Sequence, residues 1–268
     1  MNRRLSALLL TALLAACQTV ETTSPGTVGI DRKQRMLVSE EQVQQAASEA
    51  YAQQLQEARS KGVLNKDQAL TSRVRNVAQR LVPHTATFRQ DAPGWAWEVN
   101  TLQSKELNAY AMPGGKIMVY SGIVEQLKLT DAELAAIIGH EIAHALREHS
   151  RERISRAYAQ QLALAGVGAV TGAGEGTLQL ANMVASVTFQ LPHSREQESE
   201  ADRIGLELMA RAGYDPNGAV SLWQKMIAAE KSSPPEFLST HPNPGTRIQG
   251  LQALVPKVMP LYRLAAGR

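Results

Sequence analysis

The sequence predicts an α+β fold that is mostly helical and carries one small antiparallel β-sheet. Three observations favour this class. Aromatic residues make up only 4% of the 268 residues, while alanine, glutamine and leucine are plentiful, which favours helices over an all-β architecture. Long segments with helical periodicity follow capping-box signals. Three short apolar segments, two of them joined by Pro113-Gly114-Gly115, are typical of strands and a tight turn.

Composition and charge narrow the class of protein. Hydrophobic residues account for 44% of the chain, which is enough apolar surface for a folded core. The 28 basic residues fall to 26 without Arg3 and Arg4, which lie in a segment that we expect to be removed, and 25 acidic residues oppose them. This balance indicates no nucleic-acid partner. The single cysteine excludes an internal disulfide.

Residues 1–16 have the pattern of a secretory signal peptide. A basic start precedes an apolar run that is shorter than the roughly 20 residues needed to span a bilayer. Leu14-Ala15-Ala16-Cys17 resembles a bacterial lipobox, so we expect cleavage before Cys17 and acylation of this residue. Gln18 in the next position is typical of lipoproteins sorted to the outer membrane, which implies a periplasmic location. The alternative is an ordinary cleaved signal followed by an incidental cysteine.

The mature chain divides into a tether, a folded domain and a tail. Residues 17–38 are rich in threonine, glycine and serine without an apolar period, and we expect a flexible tether there. The folded domain is assigned to residues 39–255 and a C-terminal tail to residues 256–268. Within the domain, the glycine-rich stretch from Gly166 to Gly176 fits either a mobile flap or tight helix packing.

Helices and a small group of strands follow one another along the domain. The predicted helices run from Ser39 to about Arg59, from Asp67 to Leu81, from Thr130 to about His149, from Ser194 to Gly213 and from about Asn217 to Lys231. The predicted strands run from Trp95 to Asn100, from Leu107 to Met112 and from Lys116 to Tyr120. The small sheet therefore directly precedes the third predicted helix.

The third predicted helix carries His140-Glu141-Ile142-Ala143-His144, which is an HExxH pattern. Two histidines four residues apart project from the same side of a helix and could bind one metal ion. Glu141 lies about 100° further round, where it could reach a metal-bound water. Short motifs also match by chance, so this motif alone leaves open an ordinary pair of hydrogen-bonded histidines.

A catalytic zinc ion needs a third protein ligand, and the fourth predicted helix provides one. Glu198 and Asp202 stand four residues apart and share a face, and Glu198 is the expected ligand. Asp202 would accept the free ring N–H of a ligand histidine and fix its tautomer. Gly205, one turn later, would let another helix approach closely. Glu196 and Glu200 fall on other faces and are expected to be solvated.

The order of these motifs resembles that of the HtpX, BepA and LoiP zinc peptidases, which are gluzincins of peptidase family forty-eight. The likeness rests on Asn108-Ala109, Pro113-Gly114-Gly115, His140 to His144, Glu198 to Asp202, His241-Pro242 and Arg247. It covers about Ser39 to Val255 and implies a zincin-like domain with one zinc ion, in which Glu198 is the third ligand. Because the chain ends at Arg268, we expect a layout similar to the minimal outer-membrane lipoprotein members, without the helical-repeat extension of BepA.

Other residues have candidate roles with open alternatives. The strand from Leu107 to Met112 could hold an extended substrate that contacts Asn108 and Ala109, or it could simply be part of a hairpin. The resemblance implies that His241 is either a latch on the open zinc position or a donor to the tetrahedral oxyanion. A structural turn histidine is the third possibility for His241. The remaining histidines are expected on the surface: His84, His149 and His193.

The sequence thus predicts a zinc-dependent endopeptidase in which Glu141 takes a proton from metal-bound water and returns it to the leaving amine. The expected substrates are unfolded or misassembled envelope proteins of the periplasm, and the lipid anchor makes the outer membrane a partner. Outer-membrane assembly factors are further candidate partners. The main alternative is a chaperone-like assembly lipoprotein with a latent or structural zinc site. A surface lipoprotein without metal is a third interpretation.

Overall fold

A computed structural model describes residues 18–165, 176–230, 235–242 and 244–267. The α-helices in these ranges are α1 (Glu40–Ser60), α2 (Gln68–Leu81), α3 (Ser121–Gln126), α4 (Asp131–Leu146), α5 (His149–Ala165), α6 (Gly176–Phe189), α7 (Arg195–Arg211), α8 (Asn217–Glu230), α9 (Glu236–Thr240) and α10 (Pro244–Ala265). The strands are β1 (Gln18–Val20), β2 (Gln34–Met36), β3 (Glu98–Leu102), β4 (Ala109–Met112) and β5 (Lys116–Tyr120). The α+β class with mostly helical structure is confirmed. Cys17 and the glycine-rich stretch up to residue 175 lie outside the described residues.

Capping side chains set the starts of three helices. Ser39, Thr130 and Ser194 each accept a hydrogen bond from the backbone N–H three residues further on, at 3.2 to 3.3 Å. These bonds satisfy N–H groups that have no partner inside a helix. The starts of α1, α4 and α7 therefore lie close to their predicted positions. The end of α4 differs, because α4 stops at Leu146 and α5 begins at His149.

The three-stranded sheet beside α4 is mixed, with strand order β3–β5–β4. β4 and β5 pair antiparallel across a turn in which Gly114 and Gly115 have φ angles of +78° and +80°, a conformation that suits glycine. β3 pairs parallel with β5, which differs from the wholly antiparallel sheet that the sequence predicts. The chain reverses once before β4 and once after it, so β3 and β5 run in the same direction. The far edge of β3 is bonded to residues 63 and 65, which leaves its other edge for β5.

α4 and α7 cross with their backbones in contact. Gly139 faces Gly205 at the crossing, and a Cβ added to Gly205 would lie 2.8 Å from the backbone nitrogen of His140. Only glycine permits this approach, as the sequence predicts for Gly205. Glu198 lies about two turns before Gly205, so the crossing brings it beside the histidines of α4. α4 itself is buried from Glu133 to Leu146.

Gly205→Ala is expected to lower the free energy of unfolding by about 1–3 kcal/mol, because the added methyl group must push two buried helices apart. Urea unfolding in the presence of a chelator measures this effect without a metal contribution. Gly250→Ala in α10 is the matched control, since its added Cβ meets no atom within 4 Å. The control should change stability by less than about 1 kcal/mol. Equal unfolding midpoints for the two variants would contradict the close crossing.

Residues 18–36 pack against the domain, in contrast to the flexible tether that the sequence predicts. β1 and β2 form an antiparallel pair, and the side chains of Val28 and Ile30 are buried in the main core. The backbone N–H of Val28 donates to Glu207 Oε2 at 3.0 Å. Isolated apolar residues in a polar segment produce no periodic signal, so the pattern of the sequence does not reveal this packing.

The residues assigned to a C-terminal tail are helical up to Ala265. Pro256 and Pro260 lie inside α10, and Val258 is buried in the main core where α10 packs against α7 and α8. Proline removes a backbone hydrogen bond from a helix interior, and the two prolines therefore hide the helix from a sequence-based prediction. Across the parts of the chain that the structure describes, no helix combines the length and apolar character needed to cross a bilayer.

Candidate metal and catalytic site

Two ring nitrogens from α4 and a carboxylate from α7 meet in the interior of the domain. Nε2 of His144 lies 3.0 Å from Nε2 of His140. The Glu198 carboxylate approaches both rings, with Oε1 at 3.4 Å from His144 Nε2 and Oε2 at 3.5 Å from His140 Nε2. All three residues are at most 5% exposed. The structure thus brings together the three residues that the sequence predicts as metal ligands.

The spacing and chemistry of these atoms fit a zinc ion. Ligand atoms that share a tetrahedral zinc ion at about 2.1 Å are separated by roughly 3.4 Å, close to the distances found here. His140, His144, Glu198 and His241 each offer a ligand atom, and these atoms all lie within 4.8 Å of one another. Imidazole nitrogen and carboxylate oxygen are the donors that zinc prefers in catalytic sites. The donor set therefore suits one divalent ion.

Glu141 is buried beside this cluster with one oxygen fixed and the other unbonded. Its Oε2 accepts a hydrogen bond from the backbone N–H of Ala111 on β4 at 2.9 Å. Its Oε1 lies 3.4 Å from His241 Nε2 and has no hydrogen-bond partner among the described residues. Burial raises the pKa of the Glu141 carboxyl above its ordinary value. A buried, unbonded carboxylate oxygen needs a partner, and a water or substrate proton would provide one.

Asp202 and Arg247 surround the far side of His140. Asp202 Oδ1 lies 3.1 Å from His140 Nδ1, where it can accept the ring N–H. Arg247 donates through Nε to Asp202 Oδ2 at 2.7 Å and stacks on the Trp223 ring at 3.7 Å. Its Nη1 also forms an ion pair with Glu198 Oε2. Arg247 therefore holds the carboxylates of Glu198 and Asp202 in place.

The charges in this cluster shift several pKa values in different directions. Burial alone would raise the pKa of Glu198, but the charge of Arg247 holds it well below its ordinary value. Burial and Arg247 act to lower the pKa of His140, but the carboxylates of Glu198 and Asp202 outweigh them and raise it to about 9. Burial lowers the pKa of His144 well below its ordinary value. The two histidines of the HExxH pattern thus have different surroundings.

His241 lies among the ligand atoms, directly after α9. Its Nδ1 is 3.0 Å from Glu198 Oε1 and 3.2 Å from His140 Nε2. The ring stacks on Phe237, with centroids 4.1 Å apart, and on His193, with centroids 5.1 Å apart. The backbone N–H of His241 donates to Phe237 O at 2.9 Å, which fixes the ring position further. His241 therefore contacts two predicted metal ligands, as a latch or a donor requires, and these contacts set it apart from a turn histidine whose bond is only structural.

The predicted substrate residues Asn108 and Ala109 do not point into the ligand cluster. Asn108 Oδ1 accepts a hydrogen bond from the backbone N–H of Ala109 at 2.9 Å. The Ala109 side chain is 1% exposed and packs in the main core. Contact between β4 and Glu141 runs through the backbone of Ala111 instead. Any role of β4 in substrate binding therefore depends on its backbone.

Three residues near the ligands lie where the sequence did not predict them. His149 was expected on the surface and Glu200 in solvent, but they are 0% and 5% exposed. His149 Nδ1 lies 2.7 Å from His144 Nδ1, and His149 Nε2 lies 3.0 Å from Glu200 Oε2. A straight helix to residue 149 would have directed His149 elsewhere, so the break after Leu146 explains the error. His193 is half-buried and also contacts the His144 ring, with centroids 4.0 Å apart.

The sequence of this chain is similar to those of known metallopeptidases. The model of the family described as Peptidase family M48 matches residues 68–255, a range that contains every residue of this cluster. Mitochondrial metalloendopeptidase OMA1 of Schizosaccharomyces pombe is 38% identical over 165 residues, which are 60% of this chain and 47% of that protein. Metalloendopeptidase OMA1 of Bos taurus is 33% identical over 194 residues, 67% of this chain and 37% of that protein.

A bacterial relative shows a similar likeness. The β-barrel assembly-enhancing protease of Escherichia coli K12 is 28% identical over 224 residues, which are 79% of this chain and 43% of that protein. The chain spans less than half the length of each of these three relatives. The family match covers more than half of the chain and coincides with the ligand cluster and its neighbours. The chain belongs to peptidase family M48, a family of zinc-dependent metallopeptidases.

Proposed function

We propose that this chain is a zinc-dependent endopeptidase in which His140, His144 and Glu198 hold one ion. The convergence of these three side chains beside the unbonded Oε1 of Glu141 carries the proposal. A structural zinc site has no use for a further buried carboxylate beside its ligands, whereas a catalytic site needs a base there. Glu141 therefore favours an enzyme over the chaperone-like alternative.

The chemistry follows from the position of Glu141. A bound zinc ion would act as a Lewis acid, which would lower the pKa of a water molecule and polarise the peptide carbonyl. Glu141 accepts the proton of the attacking water on Oε1 and delivers it to the leaving amine nitrogen. The hydrogen bond from Ala111 keeps Oε2 fixed, so that Oε1 faces the cluster during both transfers. Asp202 and Arg247 orient His140 and Glu198 from behind.

The substrate is proposed to be an extended polypeptide that lies along β4. The backbone N–H of Tyr120 on β5 donates to Asn108 O, and in an antiparallel pair only alternate residues bond to the partner strand. The N–H of Ala111 therefore points the opposite way, to Glu141. An extended peptide added at this edge would form backbone hydrogen bonds next to the catalytic carboxylate. Such binding tolerates many sequences but requires an unfolded segment. Unfolded or misassembled envelope proteins are therefore the proposed substrate class.

The proposed location is the periplasmic face of the outer membrane, with an acyl anchor on Cys17. The lipobox-like Leu14-Ala15-Ala16-Cys17 supports this proposal. The Escherichia coli relative is a β-barrel assembly-enhancing protease, which supports outer-membrane assembly factors as proposed partners. Labelling of cells with a fatty-acid analogue should mark the chain and should leave Cys17→Ala unmarked. Equal labelling of both would remove the anchor from the proposal.

Zinc content and casein digestion, measured together on the purified chain, test the enzymatic proposal. We expect one zinc ion per chain and digestion that stops with a chelator and returns with added zinc. Bound zinc without digestion under any condition would favour the chaperone-like alternative. A chain that takes up no zinc would favour the lipoprotein without metal.

His241 is proposed to act as a latch, because its Nδ1 lies among the ligand atoms and its ring is held by Phe237. Removal of a group that stabilises the closed site should raise basal activity, tenfold for each 1.4 kcal/mol that the contact contributes. His241→Ala is therefore expected to cleave casein about tenfold faster than the parent. Equal zinc contents of the two proteins would show that the site is intact. Lost cleavage with retained zinc and fold would instead support the donor role.

A further inference from the structure

The turn between α4 and α5 directs His149 back towards the metal site. α4 ends at Leu146, and Glu148 adopts a left-handed φ of +50°, which is unusual for a residue other than glycine. Arg89 and Arg151 hold Glu148 through contacts of 2.7 and 2.6 Å. His149 then begins α5 and is fully buried. The left-handed conformation is energetically unfavourable for residues other than glycine, so it persists only where the surrounding contacts stabilise it.

His149 forms the middle of a chain of polar contacts. Its Nδ1 lies 2.7 Å from Nδ1 of His144, the ring nitrogen that faces away from the ligand cluster. Its Nε2 lies 3.0 Å from Glu200 Oε2. Glu200 is fixed in turn by Arg147, at 3.0 Å, and by Arg32 of the N-terminal segment, at 2.8 Å. A continuous series of polar contacts therefore connects the two arginines, through Glu200 and His149, to the predicted zinc ligand His144.

Only one arrangement of protons satisfies this chain when His144 binds a metal. A metal at His144 Nε2 requires the lone pair of that nitrogen, so the neutral ring carries its proton on Nδ1. That proton needs an acceptor, and His149 Nδ1 is the neighbouring atom. His149 must then carry its own proton on Nε2, where the Glu200 carboxylate accepts it. Glu200 thus determines the tautomer of His149, and His149 determines the tautomer of His144.

We propose that His149 is a positioning residue for His144, and that Glu200 acts on the metal site through it. The inference rests on the proposed function, because it assigns His144 to a zinc ion. Asp202 contacts the Nδ1 atom of His140, at 3.1 Å from Oδ1, as His149 contacts the Nδ1 atom of His144. Each of the two HExxH histidines then has a carboxylate behind it, one in direct contact and one at the far side of a second imidazole. Outer partners of this kind are typically worth 10- to 100-fold in metal affinity.

Two amide substitutions separate positioning from mere packing. The Oδ1 atom of asparagine occupies nearly the same place as histidine Nδ1, so His149→Asn keeps an acceptor for the His144 ring but loses the contact with Glu200. Glutamine reaches the place of Nε2, so His149→Gln keeps a donor for Glu200 but offers His144 no acceptor. His149→Leu removes both contacts. If His149 serves only to satisfy Glu200, His149→Gln should resemble the parent and His149→Asn should not.

The experiment is a zinc titration of the purified full chain against a fluorescent chelator, with the melting temperature in excess chelator as the control for folding. We expect zinc affinity to fall about 10- to 100-fold in His149→Leu and His149→Gln, and by less than about threefold in His149→Asn. Equal affinity of all four proteins, or rescue by glutamine alone, would overturn the proposal. A parent chain that binds no zinc would instead overturn the proposed function. Should His149→Leu fail to fold, the comparison of asparagine with glutamine still decides the outcome.

Discussion

Glu141→Gln is expected to retain zinc and to cleave casein about 100- to 10,000-fold more slowly than the parent. Glutamine can still occupy the space beside the ligand cluster, and its amide oxygen can accept the hydrogen bond from Ala111 that holds Oε2. It cannot take a proton from water at neutral pH. The unbonded Oε1 is the atom that the proposed mechanism uses, and this substitution removes its basicity with little change in shape.

The control for this loss is Glu196→Gln, which carries the same chemical change at an exposed position of α7. The control should retain parental zinc content and parental cleavage. Initial rates on casein and zinc analysis on the same samples give both readouts. Parental cleavage by Glu141→Gln would remove Glu141 from the mechanism and leave the metal site without a base.

Glu198→Ala is expected to lose zinc and cleavage together, with zinc affinity reduced by more than the 10- to 100-fold typical of residues behind a ligand. Glu198 provides the only carboxylate among the three predicted ligands, and its loss removes a negative charge from a buried site. The imidazoles of His140, His144 and His241 remain, but none of them supplies a negative charge to offset that of the ion. The same competition titration measures the affinity.

Stability has to be followed in this variant, because Arg247 loses one of its two carboxylate partners. An unpaired buried charge is costly, although Asp202 still faces the guanidinium. The melting temperature in excess chelator separates a folding defect from a ligand defect. Glu196→Ala on the same helix is the matched control and should bind zinc like the parent. Tight zinc binding by a folded Glu198→Ala variant would show that the third ligand lies elsewhere.

The parts of the site that could be predicted from the sequence are those set by helical geometry. His140 and His144 lie one turn apart, and Glu198 and Asp202 do so on a second helix, so each pair shares a face before any tertiary contact is known. Gly205 also indicated that another helix would approach closely, as Gly139 of α4 does. Contact between the two helices is then enough to bring the histidine pair and the carboxylate pair together.

His149 and Glu200 could not be predicted because they depend on where a helix ends. The sequence after Leu146 offers no glycine or proline, and the left-handed residue is Glu148, held by two arginines from different parts of the chain. A continued helix would have kept His149 away from His144. Glu200 in turn looks like a solvated position until Arg32 and Arg147 reach it.

The differences between the predicted and the observed fold also arise from contacts between residues far apart in the chain. Val28 and Ile30 anchor a segment whose composition is that of a tether, and Val258 anchors a helix that contains two prolines. Both depend on contacts with residues far along the chain. The parallel pairing of β3 with β5 likewise depends on which strand edge remains available, and residues 63 and 65 determine it.

Anomalous diffraction at the zinc edge, from crystals of the zinc-loaded chain, tests the central claim most directly. We predict a single peak at about 2.0–2.2 Å from Nε2 of His140, Nε2 of His144 and a carboxylate oxygen of Glu198. A peak elsewhere in the molecule, or a Glu198 carboxylate turned away from the ion, would contradict it.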